Sequence, residues 1–345
     1  MTNRIKGLNG WKGIMSLAIA MFHFEAHYIQ RPKYFATGYL VVEFFFAISG
    51  FLLFYSLQKK EHISLSEEIK KKLSRLYPLY LWGIFAMIIL HSIKWKNGDI
   101  LKWFTEDASP NLIWEIFMLQ RSGIATDNLV NYPAWYISAL MIASCLLIIL
   151  IKNNKKYLQF IIAPLSVLII YPLLMHKDGI LDGSAGFIYI FNVGLLRAWA
   201  GMCLGCIIFS LSLQKNRIHQ HKIGFFFLEL LMFSLLLRLV IYNKPSVYDF
   251  LVLIPISFFL LSSVLGIGII TKILSLSPFE KLGKVSFSIF INHSLVISAM
   301  TYYLPALNRT IASAVFLMAT ILYSLLVKYV FEDKFPAFIS KAFNR

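Results

Sequence analysis

The run GYLVVEFFFAISGFLL (Gly38–Leu53) contains one charged residue, Glu43. A helix needs about 20 apolar residues to cross roughly 30 Å of hydrocarbon, and this run continues to residue 57. Similar runs recur along the chain, which is 58% hydrophobic and 14% charged, with a mean hydropathy of +0.69. The sequence therefore predicts an all-α, polytopic membrane protein rather than an ordinary soluble domain.

We predict about ten membrane-spanning helices in a single domain, residues 1–345. If the N-terminus is cytoplasmic, 22 of the 33 Lys and Arg residues fall in cytoplasmic segments and nine in outer segments. This bias is typical of a membrane protein with both termini in the cytoplasm. The net charge of +16 then reflects topology, and no nucleic-acid partner is expected. The predicted spans are approximately 13–28, 39–57, 76–92, 135–151, 158–175, 194–213, 223–241, 250–270, 286–303 and 312–331.

The first predicted span contains a histidine, His23, within the run Ile14–Ala26. A charged side chain near the middle of a bilayer costs roughly 2.5 kcal/mol or more, so a residue of this kind usually marks a functional site. Imidazole also exchanges protons near neutral pH. Lys12 precedes His23 by eleven residues, which is about 16 Å along a helix and nearly the same helix face. We therefore expect both residues to line one path from the cytoplasmic side.

Glu43 lies at a depth similar to that of His23 if both runs cross the membrane. A carboxylate beside an imidazole fixes its tautomer and stabilises the imidazolium form. We therefore expect Glu43 to orient His23, although a glutamate that reaches the outer interface is the alternative. A second histidine, His293, lies in the ninth predicted span, and two such histidines favour a polar cavity.

Basic residues also mark the cytoplasmic start of the third predicted span and the outer end of the sixth. Lys72 and Arg75 are three residues apart and share a helix face, as expected for binding a phosphorylated ligand. Ordinary positive-inside charge is the alternative for this pair. Arg197 is expected either to anchor its helix at the interface or to meet an anionic group.

The longest predicted loop, 93–134, contains several aromatic residues that form either an interfacial belt or a platform for sugar rings. The three cysteines lie inside predicted spans, and the Cys203-Leu-Gly-Cys206 motif is best explained by small residues that allow close helix packing. We therefore expect no metal site. The loop aromatics are Trp95, Trp103, Trp114 and Tyr132.

Four ordered segments of the chain resemble the acyltransferase-3 family of integral membrane acyltransferases. The closest is Gly38–Leu53, which resembles the family segment Gly…Val-Asp/Glu-x-Phe-Phe-x-x-Ser-Gly-Phe-Leu-Leu. Lys12 and Lys72 replace arginines of the family pattern, Asn9 replaces an aspartate, and the segment at Trp135 lacks a glutamate found in many members. The other similar segments are Gly7–His23, Lys72–Tyr80 and Leu282–His293.

The resemblance implies an O-acyltransferase of the cell (plasma or inner) membrane. It would transfer an acetyl or other short acyl group from cytoplasmic acyl-CoA, such as acetyl-CoA, to a hydroxyl of a surface or exported polysaccharide or glycolipid. His23 and Glu43 would then be catalytic, and basic residues would bind CoA. The basic set is Lys12, Lys72 and Arg75, and the cavity-lining set is Ser49, Trp135, Arg197 and His293.

Other interpretations remain open. Intramembrane His and Glu residues also suit a proton-coupled transporter or flippase of a lipid-linked sugar. A third interpretation is that the protein is a catalytically inactive, structural member of a polysaccharide-export complex. The expected partners are the lipid bilayer, acyl-CoA and a carbohydrate acceptor. Association into a homodimer and binding to polysaccharide-export proteins are both left as alternatives.

Overall fold

The computed structural model describes most of the chain as a bundle of α-helices. Two of the predicted loop aromatics, Trp95 and Trp103, lie outside the described residues. The described residues are 6–60, 62–94, 109–124, 129–183, 185–214 and 222–334.

The helices are long and apolar, and a short β-hairpin is the one sheet among the described residues. Its strands are β1 (Phe187–Ile188) and β2 (Phe191–Asn192), which pair antiparallel. The helices are α1 (Lys6–Phe24), α2 (Val42–Leu57), α3 (Leu65–Lys94), α4 (Ser109–Ile116), α5 (Trp135–Tyr157), α6 (Ala163–Asp178), α7 (Val193–Ser212), α8 (Lys222–Ile241), α9 (Leu253–Leu265), α10 (Ile269–Leu274), α11 (Ser277–Lys284), α12 (Ser286–Tyr303) and α13 (Arg309–Lys328).

The chain is an all-α membrane protein with several candidate spans. Within the described ranges, six helical segments are long and apolar enough to cross a bilayer. A seventh arises if α11 and α12, which are bent by 63° relative to each other, form one span. One of the six is the continuous segment Tyr132–Asp178, in which Asn154 has an extended backbone with φ −157°. The predicted spans 135–151 and 158–175 both fall in this segment and are counted here as one. The predicted total of ten spans and the predicted cytoplasmic location of both termini stay predictions.

Helices α2 and α7 approach each other through glycines. A Cβ at Gly205 would lie 2.0 Å from the carbonyl oxygen of Ala47, and one at Gly50 would lie 2.0 Å from that of Met202. Only glycine permits such an approach, as is typical of membrane helix packing. Cys203 and Cys206 are buried on the same helix. The close approach of α2 and α7 brings Glu43 of α2 next to Arg197 of α7.

Helix α1 occupies a central position against α11 and α12. A Cβ at Gly283 would lie 1.9 Å from the carbonyl oxygen of Asn9, so the start of α1 is pressed against the bend between α11 and α12. The other end of α1 continues into a π-helical turn, Glu25–Ile29. Helix α1 therefore extends along α12, and this places His23 opposite His293.

Candidate active site

Three histidines form a column of nearly parallel rings, which we call the histidine column. The ring centre of His23 lies 5.1 Å from that of His293, with an angle of 20° between the planes. On its other side, His23 lies 5.7 Å from His27 at an angle of 11°. The structure therefore brings together the two predicted intramembrane histidines and adds a third, His27.

The π-helical turn that follows α1 carries His27. Its first residue, Glu25, is buried and accepts a 2.9 Å hydrogen bond from the backbone N–H of Lys33. The guanidinium of Arg309 also lies 3.7 Å from the same carboxylate oxygen. These contacts fix the chain where it leaves α1, and π-helical turns inside helices are frequent at functional sites.

Tyr132 contacts all three members of the histidine column. Its ring centre lies 4.8 Å from His23, 5.1 Å from His27 and 6.0 Å from His293. Its hydroxyl is buried and has no hydrogen-bond partner among the described residues. The phenol ring therefore packs against the imidazoles while its O–H donor is unused within that part of the chain.

The tautomer of His293 follows from its backbone contact. Its Nδ1 lies 3.2 Å from the carbonyl oxygen of Ile289. A carbonyl oxygen only accepts hydrogen bonds, so Nδ1 carries the proton and Nε2 of the neutral ring carries a lone pair. His293 is fully buried, and its Nε2 has no protein partner in the part of the chain that the structure describes. The column therefore contains an unprotonated ring nitrogen that can accept a proton.

The loop that supplies Tyr132 is fastened to α12. The side-chain amide of Asn131 donates to the carbonyl oxygen of Ile291 at 3.0 Å and accepts from the hydroxyl of Ser294 at 2.7 Å. The carboxylate of Glu115, on α4, accepts hydrogen bonds from the backbone N–H groups of Val130 and Asn131. Burial raises the pKa of Glu115 to about 7. These contacts hold Tyr132 at a fixed position beside His293.

The expected pairing of Glu43 with His23 is wrong. One carboxylate oxygen of Glu43 accepts a 2.9 Å bond from Nε of Arg197, and the other accepts from the hydroxyl of Tyr171. Both Glu43 and Arg197 are at most 1% exposed. Since α7 packs directly on α2, a full positive charge on Arg197 is closer to Glu43 than the imidazole is. Glu43 is therefore part of a buried ion pair rather than the group that orients His23.

Arg197 meets an anionic group rather than the membrane interface. Besides its bond to Glu43, it donates to the carbonyl oxygen of Gly183 at 2.9 Å, and its guanidinium carbon lies 5.5 Å from the ring centre of Trp135. Burial raises the pKa of Asp182, in the preceding loop, while the nearby Arg197 partly offsets that effect. Trp135 thus lies between the Glu43–Arg197 pair and the loop that holds Tyr132.

Lys72 and Arg75, which are predicted to bind a phosphorylated ligand, lie in different surroundings on α3. The ammonium of Lys72 donates to the hydroxyl of Ser144, near the middle of α5. Arg75 is exposed and lies within electrostatic range of Tyr136, whose hydroxyl is beside Ser49. The side chain of Ser49 is partly buried there.

Lys12 is partly buried on α1, on the same helix as His23. It therefore belongs to the helix that supplies His23 to the histidine column, whereas Lys72 and Arg75 lie on α3.

Sequence reasoning missed three groups of the site, namely His27, Tyr132 and Tyr171. His27 follows His23 by four residues, and this spacing is the one local signal that could have placed it on the same face. Tyr132 was recognised only as a loop aromatic. Nothing near Tyr171 in the sequence indicates its bond to Glu43, because the two residues are 128 positions apart.

The sequence was also compared with known proteins. The profile of the acyltransferase-3 family, described as an acyltransferase domain, matches residues 5–332. The chain belongs to this family. It is also 36% identical over 83 residues to "Protein 2 in picA locus" of Rhizobium radiobacter, a match that covers 23% of the chain and 42% of that relative. No solved structure matches the chain.

Membership of the family identifies the chain as a membrane acyltransferase in general. The transporter alternative is not favoured, because the matched family is one of acyl-transferring proteins. The chain matches less than half the length of the Rhizobium radiobacter relative, and the name of that protein states no activity.

Proposed function

We propose that this protein transfers a short acyl group, such as acetyl, from cytoplasmic acyl-CoA to a hydroxyl of a surface or exported polysaccharide or glycolipid. The single observation that supports this chemistry is the histidine column, in which His23 lies between two other imidazoles. The unprotonated Nε2 of His293 makes the column a proton-accepting site. Proton transfer by a positioned imidazole accelerates reactions by roughly 10²–10⁴-fold.

In this proposal His23 acts on the acceptor hydroxyl as a general base, or carries the acyl group itself for part of the cycle. His293 is the neighbouring group in contact with His23, which Glu43 is not. The Glu43–Arg197 pair instead contacts Trp135 through the Arg197 guanidinium. This division of roles replaces the carboxylate–imidazole pairing expected from the sequence.

The acyl donor would enter along the basic residues. Lys12, Lys72 and Arg75 supply positive charge for the phosphates of CoA, and an arginine can make two parallel contacts to one phosphate. Tyr136 lies within electrostatic range of both Arg75 and Glu43, and its hydroxyl is hydrogen-bonded with Ser49. This arrangement would lead a thioester from the basic residues toward the cavity. The enzyme would operate in the plasma or inner membrane.

The test is acyl transfer in isolated membranes with radiolabelled acetyl-CoA, with label counted in the polysaccharide fraction. His23→Ala should abolish labelling while the amount of protein in the membrane stays constant. His176→Ala is the matched control, because His176 is an exposed histidine at the end of α6. A fully active His23→Ala variant would rule out the assignment, and a wild-type protein that transfers no label from any short acyl-CoA would rule out the function.

A further inference from the structure

We propose that Tyr132 is a catalytic residue whose phenolic O–H stabilises the oxyanion formed on the acyl carbonyl during transfer. The inference rests on the proposed function, since it assigns a role within that reaction. Hydrogen-bond donors aimed at a developing negative charge are often the largest single contribution to catalysis of acyl transfer. Tyrosine hydroxyls are among the side-chain groups that serve this purpose.

The position of the Tyr132 ring is the first support. The ring centre of Tyr132 lies 4.8 Å from that of His23, so the phenol ring packs directly against the proposed base. The ring also contacts His27 and His293, and therefore forms a side wall of the whole column. A group that reacts at His23 would therefore lie close to this ring.

The hydrogen-bonding state of the hydroxyl is the second support. It is buried, and no group among the described residues bonds to it. Three buried tyrosines elsewhere show the usual arrangement, in which the hydroxyl is bonded to the protein: Tyr39 to Asp249, Tyr80 to the carbonyl of Glu115, and Tyr171 to Glu43. A buried polar group left without a partner is unfavourable, because it has lost its hydrogen bonds to water without replacing them. Tyr132 therefore keeps a donor available to a substrate, at a cost that the other three tyrosines avoid.

The mounting of Tyr132 is the third support. Its preceding residue, Asn131, bonds to both Ile291 and Ser294, which flank His293 on α12. Tyr132 also begins the 3₁₀ turn Tyr132–Ala134 that leads directly into α5. The phenol and the imidazole of His293 are thus held by one connected set of bonds. Effective oxyanion donors need such fixed positions before the reaction begins.

The transfer step needs only the thioester, the acceptor hydroxyl and His23 as the proton carrier. The acceptor oxygen attacks the thioester carbon and forms a C–O bond, its proton passes to His23, and the carbonyl π pair moves onto oxygen. The resulting oxyanion accepts a hydrogen bond from Tyr132. When the carbonyl re-forms, the C–S bond breaks and the sulfur of CoA leaves with the electron pair of that bond. The resulting thiolate then takes the proton from His23. Tyr132 keeps its own proton throughout.

The experiment compares initial rates of acetyl transfer by the full-length protein in membranes. Tyr132→Phe removes only the hydroxyl and keeps the ring against the imidazoles. We expect kcat to fall by roughly 10²–10³-fold, the effect of removing one oxyanion donor, with KM for acetyl-CoA changed less than twofold. Tyr323→Phe is the control, because that hydroxyl bonds to Trp82, away from the column. It should keep near wild-type kcat.

A Tyr132→Phe protein with wild-type kcat would overturn the inference while leaving the proposed function intact, provided that His23→Ala is inactive. A loss confined to KM would overturn it too. If the Phe variant fails to accumulate, Tyr132→Gln, which keeps an N–H donor, is compared with Tyr132→Leu. Higher kcat for Gln than for Leu supports the oxyanion role, and equal kcat values overturn it. Failure of the wild-type protein to transfer label from any short acyl-CoA instead defeats the proposed function.

Discussion

The buried Glu43–Arg197 pair should respond strongly to the loss of one charge. Its atoms are 2.9 Å apart and both side chains are at most 1% exposed, so Glu43→Gln would leave the Arg197 charge inside the bundle without its partner. Breaking one side of a buried pair costs about 3–5 kcal/mol, because the remaining charge stays desolvated. The hydroxyl of Tyr171 would also lose its anionic acceptor.

The assay is fluorescence-detected thermal unfolding of the detergent-purified protein. A cost of about 3–5 kcal/mol at roughly 2–4 °C per kcal/mol predicts a midpoint lowered by roughly 6 °C or more. Arg197→Gln alone should be similarly unstable. The double variant Glu43→Gln/Arg197→Gln should lose less stability than the sum of the losses of the two single variants, since it leaves neither charge buried alone.

Glu68→Gln is the matched control for this cycle. Glu68 pairs with Lys60, and this pair is open to solvent on the lysine side, with side-chain exposures of 40% for Lys60 and 11% for Glu68. Exposed pairs contribute about 0–1 kcal/mol, so this variant should unfold near the wild-type midpoint. The reasoning is refuted if Glu43→Gln unfolds within 1 or 2 °C of the wild type, or if the two single losses simply add in the double variant.

Two further perturbations test the packing of α2 on α7 and the fastening of the loop that holds Tyr132. Gly205→Ala should sharply reduce folded protein in the membrane, because its Cβ would lie 2.0 Å from the carbonyl oxygen of Ala47, whereas Gly224→Ala, with no atom within 4 Å of the added Cβ, should accumulate normally. Equal amounts of the two proteins would contradict this. Burial raises the pKa of Glu115 from 4.5 to about 7, so the folded state keeps a proton that the unfolded state releases. Stability should therefore fall by roughly 3 kcal/mol in total as the pH rises from about 4.5 to about 7, and thermal midpoints of Glu115→Gln should lack this slope. Identical slopes for the two proteins would show that another group titrates.

The sequence was sufficient to predict the class of the fold. Runs such as Gly38–Leu53 are too apolar and too long for a soluble domain, and the structure is built from such helices. His23 and His293 were singled out because an ionisable group is costly in lipid, and they do lie side by side. The family resemblance was confirmed by the match to residues 5–332.

The sequence was insufficient to predict which helices are neighbours. Glu43 was assigned to His23 because their depths matched, but depth along one helix does not determine which other helix packs on it. The deciding contact is the glycine-mediated approach of α7, which brings Arg197 from 154 positions away. The same limit applies to Tyr132, whose position depends on Asn131 reaching α12. Partner choice depends on the tertiary packing as a whole, which a single helix pattern does not encode.

The histidine column has a consequence for how the protein is made. Its rings come from the first described helix, from the turn that follows it, and from α12, which lies near the end of the chain. A ribosome must therefore synthesise some 270 residues between His23 and His293, and α12 must enter the bilayer, before the three imidazoles can meet. A nascent or truncated polypeptide that stops short of α12 carries His23 without its companion, so the histidine column forms only after α12 has been inserted.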